Sequence, residues 1–373
     1  MTTAESTSTR RGLSLPFSIR FEPRLDVPGW APALTTLGAI LVALVIGGLI
    51  LWAVGGDPIR SYAHIAGAAF GSVGVISDTL VKATPLILTG LACALAFRTR
   101  LWNIGAEGQF FVGAWGASAV VLAPLLPPDT PALIVIPAML LAGFACGALW
   151  GFVPGFLKAR FNVNEIITTL MMNYIAALWN LYWVFGPWSE GGFQLTAQFP
   201  RSAWLPRLTD AAGDTPAFSG LTVHLGLVFG LLASIVVWFI LKRSRWGYEI
   251  RLIGDNPKAA RYAGINIARN TILIMMLSGG LAGLAGMSEV SGVVHRLQGA
   301  ISPGYGFTAI IIAYLAKFNP FGVVVASILF GALILAGREI QPSGIPSMIQ
   351  GIILFTLIAS EVLLRYRVRI VRR

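Results

Sequence analysis

The sequence predicts an all-α integral membrane protein, a polytopic bundle of about ten transmembrane helices, and three observations carry that reading. Of the 373 residues, 56% are apolar and only 12% are charged, about half the charged share of an ordinary soluble domain. Apolar runs recur at the roughly 18 or more residues that a helix needs to cross about 30 Å of hydrocarbon. The basic residues behind the formal charge of +11 fall between those runs. They therefore read as topology signals, not as a nucleic-acid footprint along one face.

In chain order, residues 1–32 read as a loose cytoplasmic arm. Arg10, Arg11, Arg20 and Arg24 make it polar, and Pro16, Pro23, Pro28 and Pro32 keep it out of long helix. Spans are predicted near 33–54, 78–97, 106–126, 131–153, 164–185, 221–241, 270–294, 305–318, 320–337 and 346–364, which makes 33–364 the transmembrane unit. The stretch 305–318 is short and follows Ser302-Pro303-Gly304-Tyr305-Gly306, a helix breaker. That combination leaves two expectations open, a full span or a re-entrant segment, the latter tolerated only where protein or a water-filled cavity covers the backbone.

Lys and Arg collect in alternate connections: the arm, Arg98 and Arg100, Lys158 and Arg160, the loop Lys242 to Arg269, Lys317, and a basic tail at 365–373. Cytoplasmic loops retain such residues. Both termini are accordingly placed in the cytoplasm, as an even number of crossings requires. The opposite connection from Gly186 to Gly220, rich in Pro, Gly and Trp, reads as a partly ordered cap.

Gly143, Gly147, Gly151 and Gly155 lie one helical turn apart, and Gly279, Gly283 and Gly286 nearly repeat that spacing, so helix backbones are expected to approach closely there. The stretches Gly90 to Ala114 and Gly280 to Ala309 share a small-residue helix, a polar break with a carboxylate, and an aromatic-apolar helix. They enter the membrane from opposite sides, which predicts two inverted repeats.

An enzyme is disfavoured. There is no Gly-Lys pair of a phosphate loop, no His-Glu-x-x-His and no Cys-x-x-Cys. Cys93 and Cys146 sit in apolar segments and read as packing residues. His64, His224 and His295 are too scattered to imply a metal site. No catalytic residue, metal or cofactor is assigned to this chain, and ATP, if used, is hydrolysed on a separate one.

The loop Lys242 to Arg269 carries Lys242, Arg243, Arg245, Arg251, Lys258, Arg261 and Arg269 against Glu249 and Asp255. Asp255 or Asn256 can cap a helix, Pro257 fits its first turn, and Gly264 permits a left-handed stop. These signals predict a short helix from Pro257 to Ala263. A helix of that length is marginal alone in water and needs a partner surface.

Polar residues inside a membrane are expensive and are candidates for function. Asn103, Glu107 and Gln109 lie at a Gly-flanked break, with Phe110, Phe111 and Trp115 behind them. Such groups can bond sugar hydroxyls or base edges while aromatic faces stack a base; Asn103 and Glu107 can equally cap the helix start. Glu289, among Ser288 and Ser291, reads as pathway lining or as one half of a pair with His295 or Arg296. Tyr305, in the breaker, joins the pathway candidates. Glu165 reads as a cytoplasmic-end cap or ATPase contact, and Lys82 as snorkelling to the outer interface.

The stretch RSRWGYEIRLIGDNPKAARYAGI (Arg243 to Ile265) resembles the cytoplasmic loop of permeases in the branched-chain amino acid, ribose and nucleoside ABC importer superfamily. NIGAEGQ (Asn103 to Gln109) resembles its nucleoside-type branch; sugar-type permeases usually show an Asp-Leu-Ser-Val-Gly version there. NEIITTLMMNYIA (Asn164 to Ala176), GGLAGLAGMSEVSG (Gly279 to Gly292) and SPGYGFTAIIIAYLAKFNP (Ser302 to Pro320) extend the similarity from about residue 80 to the C-terminus.

The resemblance implies a type II-like importer permease in a bacterial inner membrane. Its partners would be a cytoplasmic ATP-binding cassette ATPase, a second permease (paralogue or copy) and an extracytoplasmic solute-binding protein. Its cargo would be a small polar solute, foremost a nucleoside, with a pentose as alternative. By the same resemblance Gly254, Asn256, Pro257, Lys258, Ala260, Arg261 and Gly264 would form the ATPase coupling element. A secondary transporter using Glu107 and Glu289 for ion coupling is the competing expectation; the basic loop helix speaks against it.

Overall fold

The structure, a computed structural model, describes residues 17–23, 28–123, 125–127, 129–213, 215–337 and 344–372. A strand, β1 (Phe17–Pro23), precedes α1 (Ala31–Ala53), α2 (Pro58–Phe70), α3 (Val73–Phe97), α4 (Ala106–Leu122), α5 (Ala132–Phe161) and α6 (Glu165–Phe185). After three short 3-10 turns come α7 (Gly226–Arg243), α8 (Arg245–Asp255), α9 (Pro257–Tyr262), α10 (Ile267–Glu289) with a π-helical extension to Val294, α11 (Tyr305–Leu315), α12 (Pro320–Ala336), α13 (Ile345–Arg365) and the strand β2 (Tyr366–Arg372). Among the described residues, α1, α3, α5, α7, α10 with its extension, and α13 are long and apolar enough to cross a membrane; α11 and α12 are apolar but shorter.

α3 is the core of the bundle. Its most apolar stretch is 94% buried, and Leu86, Ile87, Leu88, Leu91 and Leu95 are wholly enclosed. A helix apolar on all sides finds its lowest free energy surrounded by other helices. Here α10, α12, α11, α7 and α4 surround it.

The two glycine series meet face to face. A Cβ on Gly283 would strike the Gly143 carbonyl, one on Gly147 would strike that of Gly279, and one on Gly151 would strike that of Met275. Rising numbers on α5 meet falling numbers on α10, so the two helices run antiparallel with their backbones in van der Waals contact.

Three departures from the sequence reading have local causes. A two-stranded ribbon is added to the helical bundle: β1 pairs antiparallel with β2, Phe17 opposite Arg372 and Pro23 opposite Tyr366. The tail alternates charged with apolar residues, Val368 and Ile370 among them, a strand pattern rather than a helical one. Part of the arm expected to be loose is therefore tied to the tail; the rest of it, residues 1–16 and 24–27, lies outside the described residues.

Residues 58–70 form a helix that hydropathy did not mark. Asp57 Oδ1 accepts from the amides of Ile59 and Arg60, with Pro58 in the first turn, and these are capping signals, not apolar length. Lastly, α3 starts at Val73 instead of 78, because Ser72 accepts from the Val75 amide and caps it there.

Candidate functional site

Two helices begin against each other inside the bundle. Gly306, in the first turn of α11, donates its amide to Glu107 Oε2 at 2.6 Å, and a Cβ on Gly306 would collide with the Glu107 backbone. From this junction the helices diverge. α4 ends with Val120 beside Val135 in the first turns of α5; on α11, Ile312 packs onto Gly90, towards the far end of α3. At 11 residues α11 rises only about 16 Å. That is about half of the roughly 30 Å that a hydrocarbon core measures.

The start of α4 is held by amides. Asn103 Nδ2 donates to Gln109 Oε1 and to Ser278 Oγ, both at 2.8 Å, and its Oδ1 accepts from the Gly105 amide at 3.0 Å. Asn173, on α6, accepts from Gly108 N at 2.8 Å and donates to the Ile104 carbonyl at 2.9 Å. Asn103, Gln109, Asn173 and Ser278 are buried, and Ile104 is half-buried. Paired polar groups in a low-dielectric interior fix geometry, because losing one partner leaves the other desolvated and unmet. Asn103, Gln109 and Glu107 thus bond within the protein, Asn103 and Gln109 to each other and Glu107 to the start of α11.

Deeper in the same core, Lys82 Nζ lies 3.3 Å from Glu289 Oε1 and 3.3 Å from the Tyr305 hydroxyl. Lys82 is enclosed and does not snorkel; its side chain is 10% exposed. Glu289 meets Lys82, whereas His295 bonds Arg207 and Arg296 approaches Glu190 at 3.8 Å. Phe110 packs on Tyr305 with ring centres 5.7 Å apart. Thus Asn103, Glu107, Gln109, Phe110, Glu289 and Tyr305 are brought into one region. Trp115 stands apart, with Trp179, Trp183 and Trp188 at 5.4, 5.6 and 6.1 Å. Sequence reasoning missed Asn173, Ser278 and the pairing of Lys82; an amide or amine within an apolar helix was the available signal.

The cap formed by 186–225 is pinned to the end of α10. The Arg207 guanidinium donates to the carbonyls of Gly292 (2.7 Å) and Val293 (3.2 Å) and to His295 Nε2 (2.7 Å). Arg207 can only donate, so Nε2 accepts and His295 is the neutral tautomer whose Nδ1–H meets the Ser291 carbonyl at 3.0 Å. The ring stacks on Trp204 at 3.6 Å, and Ser291 donates to the Ala203 carbonyl. Burial, followed by the Arg207 charge, lowers His295 to about 4 and His224 to about 3.

The basic loop folds as two helices, of which α8 was not predicted. Ser244 caps α8, accepting from the Gly247 amide at 2.9 Å. Asn270 binds Trp246 Nε1 at 2.5 Å and Glu249 Oε2 at 2.9 Å, and Arg251 donates to the Leu241 carbonyl. A Cβ on Gly254 would overlap the Arg98 carbonyl at the end of α3. Asn256 Oδ1 caps α9 at the amides of Lys258 and Ala259, both 3.1 Å, and Gly264 takes a φ of +75°. Ala260 is buried, while Pro257, Lys258, Arg261 and Tyr262 are exposed. Glu165 lies in the first turn of α6 and pairs with Lys158 at 3.0 Å.

Residues 75–359 match the family described as branched-chain amino acid transport system, permease component. The chain belongs to this family. It is an ABC transporter permease component and not itself an enzyme. The permease is 35% identical to the glucose ABC transporter permease protein TsgB13 of Haloferax volcanii, over 94% of each chain. It is 38% identical to the guanosine ABC transporter permease protein NupP of Bacillus subtilis, covering 87% of this chain and 91% of that one. With the nucleoside ABC transporter permease protein NupB of Lactococcus lactis it shares 32% identity, over 87% and 89%. No solved structure matches it.

Proposed function

We propose that this permease imports nucleosides across a bacterial inner membrane, with both termini cytoplasmic. It pairs with a second permease, is driven by a separate cytoplasmic ATP-binding cassette ATPase, and is loaded by an extracytoplasmic binding protein. It binds no cofactor of its own. The observation that carries the ATPase assignment is the α8–α9 module. Its outer face offers Lys258, Arg261 and Tyr262, while its inner face, at Gly254, touches the backbone of the central helix α3. A push on such a face reaches the core without a flexible link between them.

Two inverted repeats within a bundle of about ten spans are supported by the way α4 and the shorter α11 start against each other and run apart. On this reading Asn103, Glu107, Gln109, Phe110, Glu289 and Tyr305 form the wall behind the solute pathway, and Trp115 stands near its outer mouth. Nucleosides are favoured by NIGAEGQ and by the guanosine and nucleoside permeases among the relatives. Import of a sugar is the second reading, favoured by the glucose permease at 35% identity.

The test is uptake of labelled guanosine and glucose into liposomes that hold the complete transporter. Guanosine accumulation should require ATP and the ATPase subunit. Accumulation without either, collapsing with a proton or sodium gradient, would replace this reading with ion-coupled transport.

A further inference from the structure

An open recess of about 430 Å³ lies between α11 and the first turns of α13, within the roughly 300–1,000 Å³ typical of small-molecule sites. Its polar part is Gln350, 9% exposed, whose Oε1 accepts from Thr308 Oγ1 at 2.9 Å. No described residue accepts from Gln350 Nε2, so two amide hydrogens remain for an occupant. Ser347 adds a hydroxyl at the rim and Phe307 an aromatic ring that is 45% exposed. At Gly351, which also lines the recess, a Cβ would meet nothing within 4 Å.

Lipid is a poor neighbour for these groups. Gln350 lies five residues into α13, about 7.5 Å of rise, and intramembrane polar side chains face bundle interiors or water-filled cavities. Along the middle of the same helix the exposed large side chains, Phe355 and Ile358, are apolar, and charged side chains are exposed only near its end, at Glu361 and Arg365. Among the described residues that line it there is no Asp, Glu, Lys or Arg, so the groups it offers are those of an uncharged polar site.

We propose that this recess is the solute-contact site of the permease and that it takes an uncharged nucleoside, the base stacking on Phe307 and its edge bonded by Gln350 and Thr308. The inference rests on the import reading above for its class of cargo. It also gives the two faces of the α11 start separate tasks: Tyr305 and Gly306 hold the core, while Phe307 and Thr308 meet the solute.

The experiment uses the complete transporter in liposomes, with Gly351→Cys and Ser347→Cys as two independent reporters alkylated by N-ethylmaleimide. The unmodified protein, with Cys93 buried and Cys146 partly so, sets the background. Guanosine should slow alkylation at least fivefold, and glucose and leucine should not. Gln350→Leu and Phe307→Ala should each lower ATP-driven guanosine uptake at least tenfold, with assembly scored by co-purification of the ATPase. Alkylation unchanged by saturating guanosine in liposomes that import it would overturn the proposal, as would uptake by both variants within twofold of the unmodified transporter. Liposomes that import no guanosine would refute the cargo reading instead, and protection by glucose or leucine would then overturn the nucleoside assignment of the recess.

Discussion

Replacing Lys82 by Met should damage this protein more than replacing Lys82 and Glu289 together. The ammonium and carboxylate are 3.3 Å apart, with side chains 10% and 3% exposed. At an effective dielectric constant of about 20, their attraction is about 5 kcal/mol. Desolvation of both ions offsets much of it, so the pair is no large net gain over an apolar pair of similar volume. Removing one ion is different. Lys82→Met leaves the Glu289 carboxylate desolvated without its cation, at a cost of about 3–5 kcal/mol.

In the double variant Lys82→Met/Glu289→Leu no charge is stranded, and most of that loss should return. Thermal unfolding of the detergent-solubilised protein, followed by tryptophan fluorescence, reads the difference. The single variant should melt on the order of 10 °C lower, with the double variant near the original midpoint. A single variant as stable as the original, or a double variant whose loss equals the sum of two singles, would refute the claim that these residues act as a buried pair.

Gly283→Val should prevent stable packing of α5 on α10, since its Cβ meets the Gly143 carbonyl, whereas Gly67→Ala in the open face of α2 should stabilise by about 0.5–1 kcal/mol; size-exclusion profiles and melting points separate the two. Asn256→Ala should remove about 1 kcal/mol of capping from α9 and lower ATP-driven uptake more than it lowers the melting point; equal loss of both would mean the helix only supports the fold. Arg207→Ala should free the cap from the end of α10, seen as faster proteolysis within 196–225.

The cap should also loosen in acid. His224 and His295 are neutral in the folded cap, held near 3 and 4, while the unfolded rings take up protons from about 6.5 downwards. The unfolded state binds more protons there, so stability is full above that pH and falls as pH drops towards 4 and then 3. His295→Gln should flatten the upper part of the proteolysis-versus-pH curve.

The sequence by itself determined what depends on neighbours a few residues away. Runs of apolar residues set where helices can cross, because each span must satisfy its own backbone in lipid. Asn256, Pro257 and Gly264 set the bounds of α9 through caps and a left-handed stop, and the breaker around Ser302 to Gly304 set where α11 begins. The β1–β2 ribbon was written in the tail's alternation, but its partner lies more than three hundred residues away.

Only the tertiary structure decided which polar groups meet. Lys82 and Glu289 are 207 residues apart, Glu107 and Gly306 199, Asn103 and Ser278 175. A charge in an apolar helix announces that some partner exists, since solitary ions do not persist in hydrocarbon; it does not say which of several candidates the packing of α3, α10 and α11 will deliver. The recess at Gln350 was hidden for the same reason. One glutamine on α13 and one threonine on α11 are unremarkable in sequence, and become a site because the two helices leave a gap there that neither fills.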